Sequence, residues 1–253
     1  MTSYWHLSQT HLNILQTCPP LFQKKYLQHL QSFPNLTLDK SGEWGKLFHL
    51  KMQQYHAGLS LNQIFTDDDN LNESLKALIY ASENLWKSPN LLTKKAEYSL
   101  TYTLRNFIFT AVYDLIILYP NKAIICDWKT FEKRNKVEEI ENSWQTKLYL
   151  YMLTEKLNYL PEQISFEYWF IKLPNPPENL SIKYSKSKHD RTLQELNNLL
   201  DTLENLTNQY LENNIDFPHH NRCDTCKNRH LFKDELAKLN SYQNIPTSLD
   251  EIL

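Results

Sequence analysis

With 253 residues, 41% of them hydrophobic and 22% charged, the chain can build a sizeable core, as one large domain or two small ones. Its formal net charge of -2 excludes nucleic-acid binding through bulk charge, though not through basic residues gathered in one groove. Only 3 glycines exclude phosphate-cradling glycine loops, and with them a fused Walker-type motor. No apolar run is long enough to span a bilayer, and Met1-Thr2-Ser3-Tyr4-Trp5-His6 lacks the charged and apolar regions of a signal peptide. The expectation is a cytoplasmic protein with no membrane partner, its 4 cysteines reduced and serving as ligands or core residues.

Taken in order, Ser8 ahead of Gln9 to Leu15 suits an N-capped helix, and Cys18-Pro19-Pro20 ends it before a second helix running to about Leu30. From Glu43 to Tyr55, Trp44, Leu47, Phe48, Met52 and Tyr55 recur at helical spacing, with His49 among them and Gly58 as a stop. Asp67-Asp68-Asp69-Asn70 reads as a solvated loop and N-cap for a helix from about Leu71 to Trp86. A calcium loop would need a glycine and further ligands that are missing. Lys95 to Thr103 alternates as a strand, with Glu97 near its start, and Phe107 to Tyr119 and Ala123 to Thr130 form a hairpin across Pro120-Asn121-Lys122. Glu138 to Glu155 reads as one helix with Trp144, Leu148, Tyr151 and Met152 as its apolar stripe, and with Gln145 and Tyr149 sharing a side. Ile164 to Leu173 is a strand, a proline-rich loop follows, and Leu180 to Tyr184 pairs back. Arg191 to Leu211 is a long amphipathic helix, and Cys223-Asp224-Thr225-Cys226 lies in a loop before a short helix. The order α-α-β-β-β-α-β-β-α predicts an α/β fold with a central mixed β-sheet flanked by helices. A single domain over 1–253 is expected, with N-terminal helices to residue 40, a core at 41–185 and a C-terminal helix and Cys-x-x-Cys segment at 186–253.

The hairpin carries an anomaly. Its strands are apolar enough to be buried, yet Asp114 interrupts the first and Asp127 and Lys129 end the second. Residues two apart on a strand share a face, so Asp127 and Lys129 look the same way, and normal pairing can bring Asp114 beside them. Buried charge is costly unless it is paired or binds a metal, and a structural ion pair adds little stability over apolar replacements. Three converging charges therefore favour a metal-dependent catalytic site.

Asp114 followed by Asp127-Trp128-Lys129-Thr130 resembles the motif of the PD-(D/E)XK nuclease superfamily, and within it the RecB-like branch. Gly45-Lys46-Leu47-Phe48-His49 is similar to that branch's glycine-then-histidine helix, and Gln145-Thr146-Lys147-Leu148-Tyr149 to its Gln-x-x-x-Tyr helix. Leu7-Ser8-Gln9-Thr10 with Cys18-Pro19 is similar to its N-terminal segment. The likeness runs from about Leu7 to His230, and Ala111 stands where the family usually has a glycine. It implies a restriction-endonuclease-like core and a magnesium- or manganese-dependent DNA nuclease. His49, Asp114 and Asp127 would hold the metal, Lys129 would assist the attacking water, and Gln145 and Tyr149 would bind substrate or order the site. Glu97 matches an acidic residue often found ahead of the hairpin. Small relatives of this kind resemble free-standing repair exonucleases and the nucleases that trim CRISPR spacers, which points to DNA, and to a helicase or CRISPR adaptation proteins, as partners.

The cysteines depart from the family pattern. Some members hold a [4Fe–4S] cluster with one N-terminal cysteine and three later ones spaced Cys-x₂-Cys-x₅-Cys. Here Cys18, Cys223 and Cys226 match, but Phe232 occupies the fourth position. With His230 they could instead bind zinc, or form a relic held by packing. Cys126 is expected to point away from Asp127 into the core. The rival to catalysis is a non-catalytic DNA-binding or assembly module that keeps the nuclease fold.

Overall fold

A computed structural model describes residues 4–29, 40–130, 136–171 and 176–219. The chain divides into two compact units, Met1–Asn13 with Ser32–Asp201, and Ile14–Gln31 with Thr202–Leu253.

In the first unit, strand β1 (Trp5–Leu7) leads into helix α1 (Gln9–Thr17), whose later residues belong to the second unit. In that second unit, α2 (Pro19–Phe22) continues as one turn of π-helix, Gln23–Leu27. There Gln23 is buried and ties two segments together: its Nε2 donates to Asp216 Oδ1 at 2.7 Å, and its Oε1 accepts from Phe217 N at 2.7 Å. Cys18 is buried against Leu21.

The rest of the first unit follows the alternating periods of the sequence. Helices α3 (Lys40–His56), α4 (Leu61–Ile64) and α5 (Asp69–Ser82) precede strands β2 (Thr93–Leu104), β3 (Phe107–Tyr119) and β4 (Lys122–Lys129). Helices α6 (Val137–Glu141) and α7 (Trp144–Lys156), strands β5 (Ile164–Phe170) and β6 (Glu178–Lys183), and helix α8 (Lys186–Asn213), whose residues from Thr202 on belong to the second unit, complete it. The expected hairpin, β2, α3 and the late β-strands all form. The helix expected over Glu138–Glu155 is instead two: Asn142-Ser143 breaks it, and Ser143 caps α7 by accepting from Thr146 N. The helix expected to reach Trp86 ends at Ser82 and tightens into a 3₁₀ turn. Strand β1 and helix α4 are additions to the expected order.

The six strands form one mixed sheet with helices on both faces, an α/β arrangement. Strand β3 is its spine. Antiparallel β2 runs along one edge of β3 from end to end, whereas the opposite edge is shared: β1 pairs in parallel with Phe107–Phe109 and β4 pairs antiparallel with Leu115–Tyr119. Residues 110–114 on that second edge have no strand partner among the described residues. Parallel β5 lies against β4, and antiparallel β6 closes the sheet. One face packs Leu115, Ile117, Ile124, Cys126 and Trp128 under α3 and α5 with Phe48, Met52, Leu75 and Leu78. Cys126 is fully buried there, and burial pushes its thiol pKa well up. The other face meets α7, where Tyr113, Tyr149 and Phe166 pack their rings. No helix among the described residues is long and apolar enough to cross a membrane.

Candidate active site

The gap in the β3 edge is where the charges collect. Beyond Leu115↔Cys126 the β3–β4 ladder stops, leaving the N–H of Trp128 without a backbone acceptor. Asp114 supplies one: its Oδ2 accepts from Trp128 N at 2.8 Å. Its other oxygen lies 3.3 Å from Nδ1 of His49 on α3. One carboxylate thus joins the helix on one face of the sheet to the end of β4. Burial disfavours a charge on His49, but its hydrogen bond to Asp114, with the charges of Asp114, Asp127 and Glu97, outweighs this and raises its pKa.

Glu97 enters from the other edge of β3. The ladder matches Ala96 with Leu115 and Tyr98 with Tyr113, so Glu97 and Asp114 face each other as an unpaired couple. Glu97 adopts φ 48°, a left-handed conformation rare for a residue with a side chain. One ligand atom each from His49, Glu97 and Asp114 lie within 4.8 Å of one another, with Glu97 the most exposed of the three. Burial first, then the charge of Asp114, raises the pKa of Glu97.

Asp127 and Lys129 point to the α7 face, as their spacing requires. Gln145 joins them: its Nε2 donates to Asp127 Oδ1 at 2.5 Å, and its Oε1 accepts from Lys129 Nζ at 2.9 Å. Lys129 Nζ also lies 2.7 Å from Asp127 Oδ2, an ion pair by distance. The ammonium occupies one side of this buried oxygen and holds the carboxyl's pKa down, leaving its second lone pair. Burial, then the nearby charge of Asp114, pushes the Asp127 carboxyl up to about 6, with Lys129 opposing.

Tyr149, four residues after Gln145, is turned into the core. Its hydroxyl bonds to the backbone of Val112 in the open stretch of β3, its carbonyl accepts from Tyr113 Oη at 2.9 Å, and burial raises its phenol to about 12. It fastens α7 to the strand that carries Asp114. An open cleft of about 470 Å³, lined by Gly45, Lys46, His49, Leu50, Glu97 and Thr130, leads to the group.

The structure thus brings His49, Glu97 and Asp114 into one ligand group and sets Asp127, Lys129 and Gln145 beside it. Sequence alone gave no sign that Glu97, rather than Asp127, would form a mutual ligand group with His49 and Asp114. Cys18 lies in the second unit; Cys223, Cys226, His230 and Phe232 lie outside the described residues. The donor set suits a hard divalent cation: two carboxylates and an imidazole converge, with the buried Asp127 carboxylate beside them.

A family model, the PD-(D/E)XK nuclease superfamily, matches residues 6–231. Members of this family use divalent metals and act on nucleic acid. No relative is found among curated proteins. Among solved structures, the Eubacterium rectale protein named "Putative exonuclease" superposes with a TM-score of 0.50 at 13% identity, covering 90% of this chain and 88% of its own. That likeness is one of fold. SSO0001 aligns at 12% identity over 78% of this chain and 76% of its own, with a TM-score of 0.35.

Proposed function

The chain belongs to the PD-(D/E)XK nuclease superfamily, and from that premise we propose that it is a magnesium- or manganese-dependent nuclease that hydrolyses DNA phosphodiester bonds. The observation that carries this reading is the convergence of His49, Glu97 and Asp114 within 4.8 Å beside the interlocked Asp127, Lys129 and Gln145. His49, Glu97 and Asp114 would hold the cation, with Asp127 as an added donor. Such an ion supplies Lewis-acid charge that activates water and offsets the charge of the phosphate.

The protein's own groups provide the rest. Lys129 is fixed by two partners, so its ammonium presents a located positive charge to the substrate and orients the attacking water. Gln145 keeps Lys129 and Asp127 in register by bonding both. Tyr149 holds α7 against β3, which keeps Gln145 over the strand ends. A module freed from catalysis would have little reason to bury a carboxyl whose pKa is forced up to about 6.

Within this reading the enzyme is of the RecB-like branch, and exonuclease action fits the name of the similarly folded Eubacterium rectale protein. Cytoplasmic DNA repair, recombination or CRISPR adaptation, alongside a helicase or adaptation proteins, would be its setting. The decisive experiment is a digestion panel with manganese or magnesium on linear, end-blocked and circular DNA, run with Asp127→Ala and Lys129→Ala. Metal-dependent loss of linear DNA alone, abolished in both variants, is the expected result. Equal cleavage by wild type and variants would sink the proposal.

A further inference from the structure

We propose that Gly45 and Thr130 are a pair of positioning residues: their close approach sets the distance of α3 from β4, and with it the place of His49 against Asp114. The inference rests on reading the cleft as a metal site, but it concerns the metal-free protein as well.

Gly45 sits inside a helix, where glycine weakens the structure relative to alanine. Its conformation does not explain the choice, since among the glycines a positive φ is found at Gly58, at 106°. Space does. A Cβ built on Gly45 would lie 2.7 Å from Thr130 Oγ1 and 3.8 Å from Thr130 Cβ, whereas one built on Gly58 would meet nothing within 4 Å. The first distance is too short for real atoms, so a side chain at position 45 must push something away.

Thr130 is poorly placed to yield. It is β-branched and stiff about χ1, and it directly follows Lys129, whose strand is paired with β5 as far as Phe170. The Lys129 carbonyl also accepts from Ile171 N at 2.9 Å. The helix is the part that gives. His49 lies one turn beyond Gly45 on the same side, and its ring meets Asp114 at 3.3 Å. Ligand constellations tolerate displacements of about 0.5 Å before they fail. The sequence accepts a weaker helix at position 45 so that the helix can stand close enough for His49 to reach.

The test is a double-mutant cycle of wild type, Gly45→Ala, Thr130→Ala and Gly45→Ala/Thr130→Ala. Two readouts are taken: manganese affinity by calorimetry, and the ¹⁵N resonances of the His49 imidazole in the metal-free protein. Gly45→Ala is expected to weaken manganese binding about 10-fold or more and to shift the His49 Nδ1 signal. In the Thr130→Ala background, where the clashing oxygen is gone, the same alanine should cost less than about 3-fold, the non-additivity of residues in contact. An equal cost in both backgrounds, or no cost in either, overturns the proposal. If Gly45→Ala fails to fold, the double variant decides alone, since relief of the clash restores a folded, manganese-binding protein and any other cause does not. If wild type binds no manganese, the reading of the cleft fails instead, and the His49 resonances still decide on the pair.

Discussion

Two clusters of charge lie within one unit of this protein and behave in opposite ways. The first is the group at the ends of β3 and β4. The second lines a cavity of about 310 Å³ among α6, α7, β6 and α8. There Glu195 is bracketed by Lys147 Nζ at 2.8 Å and Arg191 Nε at 2.9 Å, Arg191 also donates to Asn142 Oδ1 at 3.1 Å, and Lys188 pairs with Glu141. Burial alone would raise the Glu195 pKa, but its hydrogen bonds to Lys147 and Arg191 lower it on balance. At the first cluster carboxylates outnumber cations, and both Asp127 and Glu97 have raised pKa values. The same residue types thus make a self-satisfied network in one place and a site short of positive charge in the other. On the proposed reading, a divalent cation would fill that shortfall.

The largest test of the contrast removes the carboxylate that spans the first cluster. Asp114→Ala leaves Trp128 N–H without its acceptor and His49 without its partner. It should lower the rate of metal-dependent cleavage by about 10²–10³-fold, the scale of losing one preorganised electrostatic group. Glu195→Ala, in the second cluster, should change the rate less than about 2-fold, given the small worth of exposed pairs. A comparable loss in both variants would erase the distinction between the clusters.

The next test reads stability in the metal-free protein, where the two clusters should differ in sign. The folded-state pKa of Asp127 is about 6 against an ordinary 3.8. Between these values the folded protein binds a proton that the unfolded chain does not, so stability falls as pH rises through the window and is flat above it. Each unit of such a shift is worth about 1.36 kcal/mol. Asp127→Asn should therefore stabilise the metal-free protein at pH 7 by an amount of that order and remove the decline between pH 4 and 6. Urea unfolding across that range checks both. A variant less stable than wild type at pH 7 would show that Asp127 is a structural partner of Lys129, like Glu195 in its network.

Gln145 comes third. It bonds both Asp127 and Lys129, so Gln145→Ala should lower activity about 10–100-fold, as loss of a supporting partner does at metal sites. Gln145→Glu should not rescue it, because a carboxylate cannot donate to Asp127. Single-turnover cleavage at saturating metal checks this, and an unchanged rate would make Gln145 a packing residue.

How far the sequence foretold this site depends on whether a residue's place follows from local pattern. Asp127 and Lys129 share a face because period two demands it, and Cys126 turns to the core for the same reason. His49 falls at its helical position, and the hairpin forms within a residue or so of its expected ends. What was not legible depends on distant partners. Strand β1 is three residues that acquire meaning only beside Phe107–Phe109. The left-handed backbone at Glu97, opposite Asp114 where the ladder skips a pair, has no signal in the residues around it. The break at Asn142-Ser143 was hidden by continuing helical periodicity, although Ser143 is a strong N-cap residue.

The smallest effect sharpens the comparison from the other side. Glu195 is partly exposed, with its side chain 34% accessible; its partner Arg191 is more so at 65%, and Lys147 less so at 14%. Water screens such pairs, and side-chain ordering offsets much of their attraction, so Glu195→Gln should destabilise by no more than about 1 kcal/mol. The sign follows from the lowered pKa, because above its ordinary value the folded state favours the charged form and the glutamine loses that preference. Raising salt from 0.1 to 1 M shortens the screening length from about 10 to about 3 Å and should erase most of this difference. The gain from Asp127→Asn should survive the same salt, because it comes from relieving desolvation of a buried group, which mobile ions do not reach. Unfolding both variants at the two salt concentrations sets a screened, solvent-facing network against a dehydrated one, and parallel responses would mean that the clusters differ only in degree.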